Sequence, residues 1–166
     1  EPGRARGAVR AVLESMRPAV LAAFAAPGRD EARAVLTNLL EAACVVAVAD
    51  GTADDAEREV IQEVARTLCA RELDRAAIDG AVAKVAAAVS ADGIEKRCDK
   101  VAGRLASLGL GEVGLGVAVL VAQVSHGIDA PELAALVRLA AALGLGDKQL
   151  TDLVHRIDQG LSAEGG

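Results

Sequence analysis

Residues 46 to 59, VAVADGTADDAERE, pass from an apolar run into five carboxylates relieved by one arginine. Oxygen donors at that density around a glycine suit a hard divalent cation. Ca²⁺ takes about six to eight oxygens from carboxylates, backbone carbonyls and water, and a tight glycine loop between helices can supply the carbonyls. A second stretch, VSHGIDAPELAAL at 124 to 136, repeats the plan with fewer acids. Neither is a calcium loop of the EF-hand type: counted from Asp50, Asp55 falls where that loop needs its turn glycine, and Ile61 falls where it needs its bidentate glutamate. His126 offers an imidazole beside the second set of acids, which would turn the preference towards Zn²⁺, Mn²⁺ or Fe²⁺. A histidine at a helix end also serves as a cap for carbonyls. Neither His126 nor His155 pairs with a cysteine at zinc-ligand spacing.

The same acids have a second use. Asp54-Asp-Ala-Glu57 and Asp129-Ala-Pro-Glu132 both have the spacing of a capping box, in which the first side chain accepts from the backbone three residues on and the glutamate reaches back. Pro131 in the first turn agrees with that reading. Such a cap contributes about 1 kcal/mol, and acids there also suit the helix dipole. Capping leaves Asp50 and Asp55 without a purpose, so cation binding and capping both stand.

These residues need helices on either side of them. The chain shows helical periodicity throughout and no convincing alternation of period two, which makes it all-α. Turn signals predict a compact bundle of about seven to eight helices, near 5–25, 30–49, 54–70, 72–89, 94–108, 111–125, 130–144 and 147–159. The stretches AACVVAVA at 42–49 and VGLGVAVLVA at 113–122 are apolar all round, as for two helices enclosed by the others. In the helix from 54, Val60, Ile61, Val64, Ala65 and Leu68 share one face, opposite Glu59, Gln62, Glu63 and Arg66. Both halves run an apolar helix into a glycine, a short acidic loop, a glutamate and an amphipathic helix. Gly51 then pairs with Gly127, Glu57 with Glu132, Ile61 with Leu136 and Leu68 with Leu143, and His126 stands where the first loop has Asp50. This is a pseudo-twofold repeat of helix-loop-helix units, and packing about such an axis would bring the two loops together.

The totals narrow the function. One domain, residues 1–166, suits a chain of this length, and the charged, glycine-containing ends at 1–7 and 162–166 predict disorder there. Phe24 is the sole aromatic ring and the net charge is -6, so the chain lacks the stacking platforms and basic surface of a nucleic-acid binder. No apolar run reaches the roughly 20 residues a bilayer crossing takes. Glu14, Arg17 and Pro18 interrupt the apolar core that a secretory leader in the first 27 residues would require. Cys44, Cys69 and Cys98 are odd in number and sit in apolar patterns, which reads as buried reduced thiols in a cytoplasmic protein. GLGEVG at 109–114 spells a dinucleotide-loop pattern but follows a helix rather than a strand, so it is a helix junction. No nucleophile elbow or catalytic cleft is visible, and a binding module without catalysis is expected.

At Ala49-Asp50-Gly51, Glu57, the stretch DGIEKRCDK at 92–100, Ser125-His126-Gly127, Glu132 and Leu143-Gly144-Leu145, the chain resembles the TerB-like family over roughly 35–155. That family is named for tellurite resistance and is also seen as the amino-terminal domain of a membrane-anchored J-domain co-chaperone. The resemblance implies a compact helical bundle, proposed divalent-metal binding at two acidic loops, and links to stress-resistance assemblies near the membrane. Carried over by position, it nominates Asp50, Asp54 and Glu57 from the first loop with Asp129 and Glu132 from the second. His126 departs from the family's usual aspartate there, so the second loop brings two carboxylates rather than three.

The expectation is therefore a cytoplasmic, TerB-like, non-catalytic module of a stress response. It would bind a divalent metal, Ca²⁺ ahead of Mn²⁺ or Zn²⁺, and present an acidic face to a protein partner, reaching membranes only through such partners. The alternative is a purely structural interaction domain of a larger protein, its acidic residues only capping helices; the absence of an initial Met is compatible with that.

Overall fold

The structure, a computed structural model, describes residues 2–24, 29–124 and 127–165. Among these, eight helices and no strands occur: α1 (Pro2–Phe24), α2 (Arg29–Ala47), α3 (Asp55–Cys69), α4 (Arg75–Asp92), α5 (Ile94–Ser107), α6 (Gly111–Gln123), α7 (Ala130–Ala142) and α8 (Asp147–Gly165). No described helix is long and apolar enough to cross a membrane.

The two all-apolar stretches form the centre. From Ala42 to Ala47 and from Leu115 to Ala122 every hydrophobic side chain is shielded from solvent, and α2 packs most extensively on α6. Gly114 permits one close approach, because a Cβ there would run into the Leu105 side chain of α5.

Around this pair the helices repeat. As α1 covers α3, so α5 covers α7; as α2 meets α3 and α4, so α6 meets α7 and α8; and the halves lock by crossed contacts, α3 on α6 and α7 on α2. The burial pattern repeats as well: Glu57, Val60, Ile61, Val64 and Ala65 are buried on α3, and Glu132, Ala135, Leu136, Leu139 and Ala140 on α7. The pseudo-twofold relation thus extends beyond helix-loop-helix units to four helices each, α1–α4 and α5–α8.

Helix α1 starts at Pro2, proline being tolerated in a first helical turn, and α8 rests along α1 with Leu161 packed against the core. Two expectations need correction. The fourth helix begins at Arg75, not near 72: α3 ends on Ala70 in the left-handed region, at φ 51°, and Asp74 caps the next helix through the Ala77 N–H. Cys44 and Cys98 are buried, but Cys69 is only half-buried. Burial pushes the Cys44 thiol up to about 12 and the others up to about 11, so all three stay protonated.

Candidate metal centre

The two acidic loops leave the central helices α2 and α6 and end on the caps of α3 and α7. Gly51 and Gly127 turn them with φ of 127° and 82°, a region side chains disfavour. Asp54 and Asp129 then adopt nearly identical extended conformations, φ -82° with ψ 178° and φ -82° with ψ 174°. Both capping boxes are complete. Asp54 Oδ1 accepts from Glu57 N at 2.8 Å while Glu57 Oε1 accepts from Asp54 N at 2.9 Å; Asp129 Oδ1 accepts from Glu132 N at 2.9 Å while Glu132 Oε1 accepts from Asp129 N at 3.1 Å. Each of these bonds uses one oxygen of its carboxylate, so for Glu57, Asp129 and Glu132 capping engages only half of the group.

The loops meet. Carboxylate oxygens of Asp50, Asp129 and Glu132 all lie within 4.8 Å of one another. The Glu57 and Glu132 carboxyls face each other closely enough to perturb one another's titration, and Asp129 perturbs that of Asp50. Asp54, Thr52, Gly127 and Ile128 complete a cleft of about 310 Å³. Of the six residues nominated from sequence, five therefore line one cleft, and His126 lies outside the described residues. Thr52 was not foreseen; only the folded loop shows that it faces the acids.

The cleft has five carboxylates and no basic side chain in its described lining. Glu57 and Glu132 are only 2% and 3% exposed. Burial, more than any neighbour, pushes Glu57 up to about 8, with repulsion from Asp54 and the contact with Glu132 adding to it. Asp50 and Glu132 are raised as well, first by burial and then by facing carboxylates. Without a cation Glu57 keeps its proton through neutral pH, because like charges so close cannot all ionise. Arg58, one residue beyond Glu57, turns away: its Nε donates to Ala53 O at 3.1 Å and its guanidinium reaches Asp79 of α4 at 2.7 Å, bracing the first loop from behind.

Fold and cleft together define a duplicated helical module whose paired loops direct carboxylates to one point. The family described as Tellurite resistance protein TerB matches residues 8–80, and over that stretch, from α1 into α4, the chain is TerB-like. That match takes in the first acidic loop and ends before the second, which the internal repeat relates to it. No curated protein and no solved structure matches the chain.

Proposed function

We propose that the cleft binds one divalent cation and that the protein is a cation-dependent interaction module without catalysis of its own. The observation that carries this reading is the convergence of Asp50, Asp129 and Glu132, from two loops distant in sequence, within 4.8 Å of one another, with Glu57 alongside. Capping accounts for the acids one loop at a time; it gives no reason for the loops to face each other at the cost of burying like charges. A cation replaces the shared protons and removes that cost. Every side-chain donor in the described cleft is an oxygen, which selects a hard ion, Ca²⁺ first and Mn²⁺ next. Zn²⁺ would need His126.

Bound to both loops, the ion would tie the two halves together across the pseudo-twofold axis and stiffen the acidic face for a protein partner. The TerB likeness supports placing that partner in a stress-response assembly in the cytoplasm. Thermal melts test the reading. Ca²⁺ or Mn²⁺ at 100 times its dissociation constant should stabilise the protein by about 2.7 kcal/mol, and Asp50→Asn should remove most of the gain. If EDTA-treated protein melts identically with every divalent ion, the alternative holds: the two complete capping boxes are then the acids' whole purpose, in a purely structural interaction domain.

A further inference from the structure

The pseudo-twofold relation gives the molecule two equivalent clefts on its flanks, and they differ in chemistry. One, of about 580 Å³ between α1, α6 and α8, is lined by Val12, Met16, Val113 and Ile157, with Arg156 held against Glu112 at 3.4 Å. Its charges cancel. The other, of about 350 Å³ between α2, α4 and α5, has an apolar floor of Leu40, Cys44 and Val85 but a lining that includes Lys84, Arg97 and Arg104 against the single carboxylate of Glu41. Since the first cleft has one cation balanced by one carboxylate, the fold does not require a surplus of cations at the second. They also stand out in a chain of net charge -6.

Glu41 is shared between Arg97 and Arg104, which reaches it at 2.9 Å, and so neutralises only one of the two. Asp92, 3.6 Å from Arg97, is divided with Lys100. The Arg97 Nε is buried and has no acceptor. Lys84 is exposed at the cleft and has no ion-pair partner among the described residues. A surplus of donors over an apolar floor is the chemistry of a site for an amphiphilic anion, and the volume falls at the small end of the range of about 300–1,000 Å³ typical of small-molecule sites. We propose that the cleft between α2, α4 and α5 binds a small organic anion, its acidic head on Lys84 and Arg104 and its short apolar tail against Leu40 and Val85.

The experiment is a residue-resolved NMR titration of the whole chain in EDTA, so that its outcome does not depend on the acidic cleft, using hexanoate, hexanol and inorganic phosphate. Hexanoate should give saturable shifts at Thr37, Lys84, Val85 and Arg104 and none at Met16, Val113 and Ile157, the counterpart cleft serving as internal control. Lys84→Ala, an exposed position, should weaken hexanoate by about fivefold, the loss of one well-placed ion pair. Ala88→Leu should block the cleft with its charges intact. Absence of saturable shifts, equal shifts in both clefts, or hexanoate binding unchanged by both substitutions would overturn the proposal. So would hexanol or phosphate binding as tightly as hexanoate, since head and tail must both count.

Discussion

The hairpins α2–α3 and α6–α7 are the same object on the inside and different objects on the outside. Inside, Val60, Ile61, Val64 and Ala65 correspond to Ala135, Leu136, Leu139 and Ala140, all buried, and the two capping boxes superpose in conformation. Outside, Arg58 corresponds to Leu133 and Gln62 to Val137. Arg58 and Gln62 fasten α3 to the chain that follows, Arg58 on Asp79 and Gln62 on Leu73 O, whereas Leu133 and Val137 are 48% and 40% exposed. Even the link to the covering helix is reversed in sign: Glu63 takes Arg10 of α1 at 3.7 Å, while Arg138 forks onto Asp99 of α5 at 2.6 Å and 2.9 Å. A buried face and a cap admit few solutions, so they persist in both copies. A solvated face need only be soluble, and it is free to diverge.

The largest expected effect tests the inner likeness. Ile61→Ala and Leu136→Ala, both at fully buried positions, should each cost about 2–5 kcal/mol in denaturant unfolding. Similar costs and one common transition are expected, because the halves share the α2–α6 core. A second, separate transition in either variant would show that the halves are independent and that the twofold description is only geometric.

The acidic cleft should govern how stability responds to pH. Glu57 moves from an ordinary 4.5 up to about 8 on folding. Between these values the folded, cation-free protein holds a proton that the unfolded chain has released, so the contribution of this group to stability is full below about pH 4.5 and is lost as pH rises towards 8. Asp50 and Glu132 are shifted the same way and add to the slope. Saturating Ca²⁺ should flatten or reverse it, since the ion binds the deprotonated carboxylates. Melts at pH 5 and pH 8 in EDTA check the sign: a protein more stable at pH 8 would mean that the carboxyls are not held protonated together.

The caps come next. Asp54→Ala and Asp129→Ala should each cost about 1 kcal/mol in EDTA, and in excess Ca²⁺ each should cost more, because the cation's contribution is lost with the cap. Equal costs in EDTA and Ca²⁺ would confine these residues to capping.

Such differences also mark what the sequence made legible. Periodicity and capping spacing located the helices, the central pair and both boxes, because those depend on neighbours a few residues away. The resemblance to the TerB-like family nominated the cleft's acids by position, yet their meeting depends on how two remote loops pack across an axis. The turn after α3 has no sharp sequence signal because Ala70, and no glycine or proline, takes the left-handed position, held where Gln62 and the Arg66–Glu72 fork fix the following chain. Arg58 gave no signal either, since its partners Ala53 O and Asp79 are set by tertiary structure.

The smallest expected effect is the one that bears on the outer difference. Arg58→Leu makes the first hairpin like the second; it removes an ion pair to a half-exposed Asp79 and a bond to Ala53 O, and should cost about 1 kcal/mol. The reciprocal Leu133→Arg should change stability by less than about 0.5 kcal/mol, since Leu133 is half in solvent. Their consequences for the cleft should differ more than their stabilities. Arg58 braces the backbone between Gly51 and Asp54, so its loss should loosen the first loop and weaken Ca²⁺ binding in calorimetry, whereas Leu133→Arg, on the outer face of α7, should leave it nearly unchanged. Equal effects on Ca²⁺ affinity would mean that the brace positions α4 alone, and that the two loops hold the ion without help from behind.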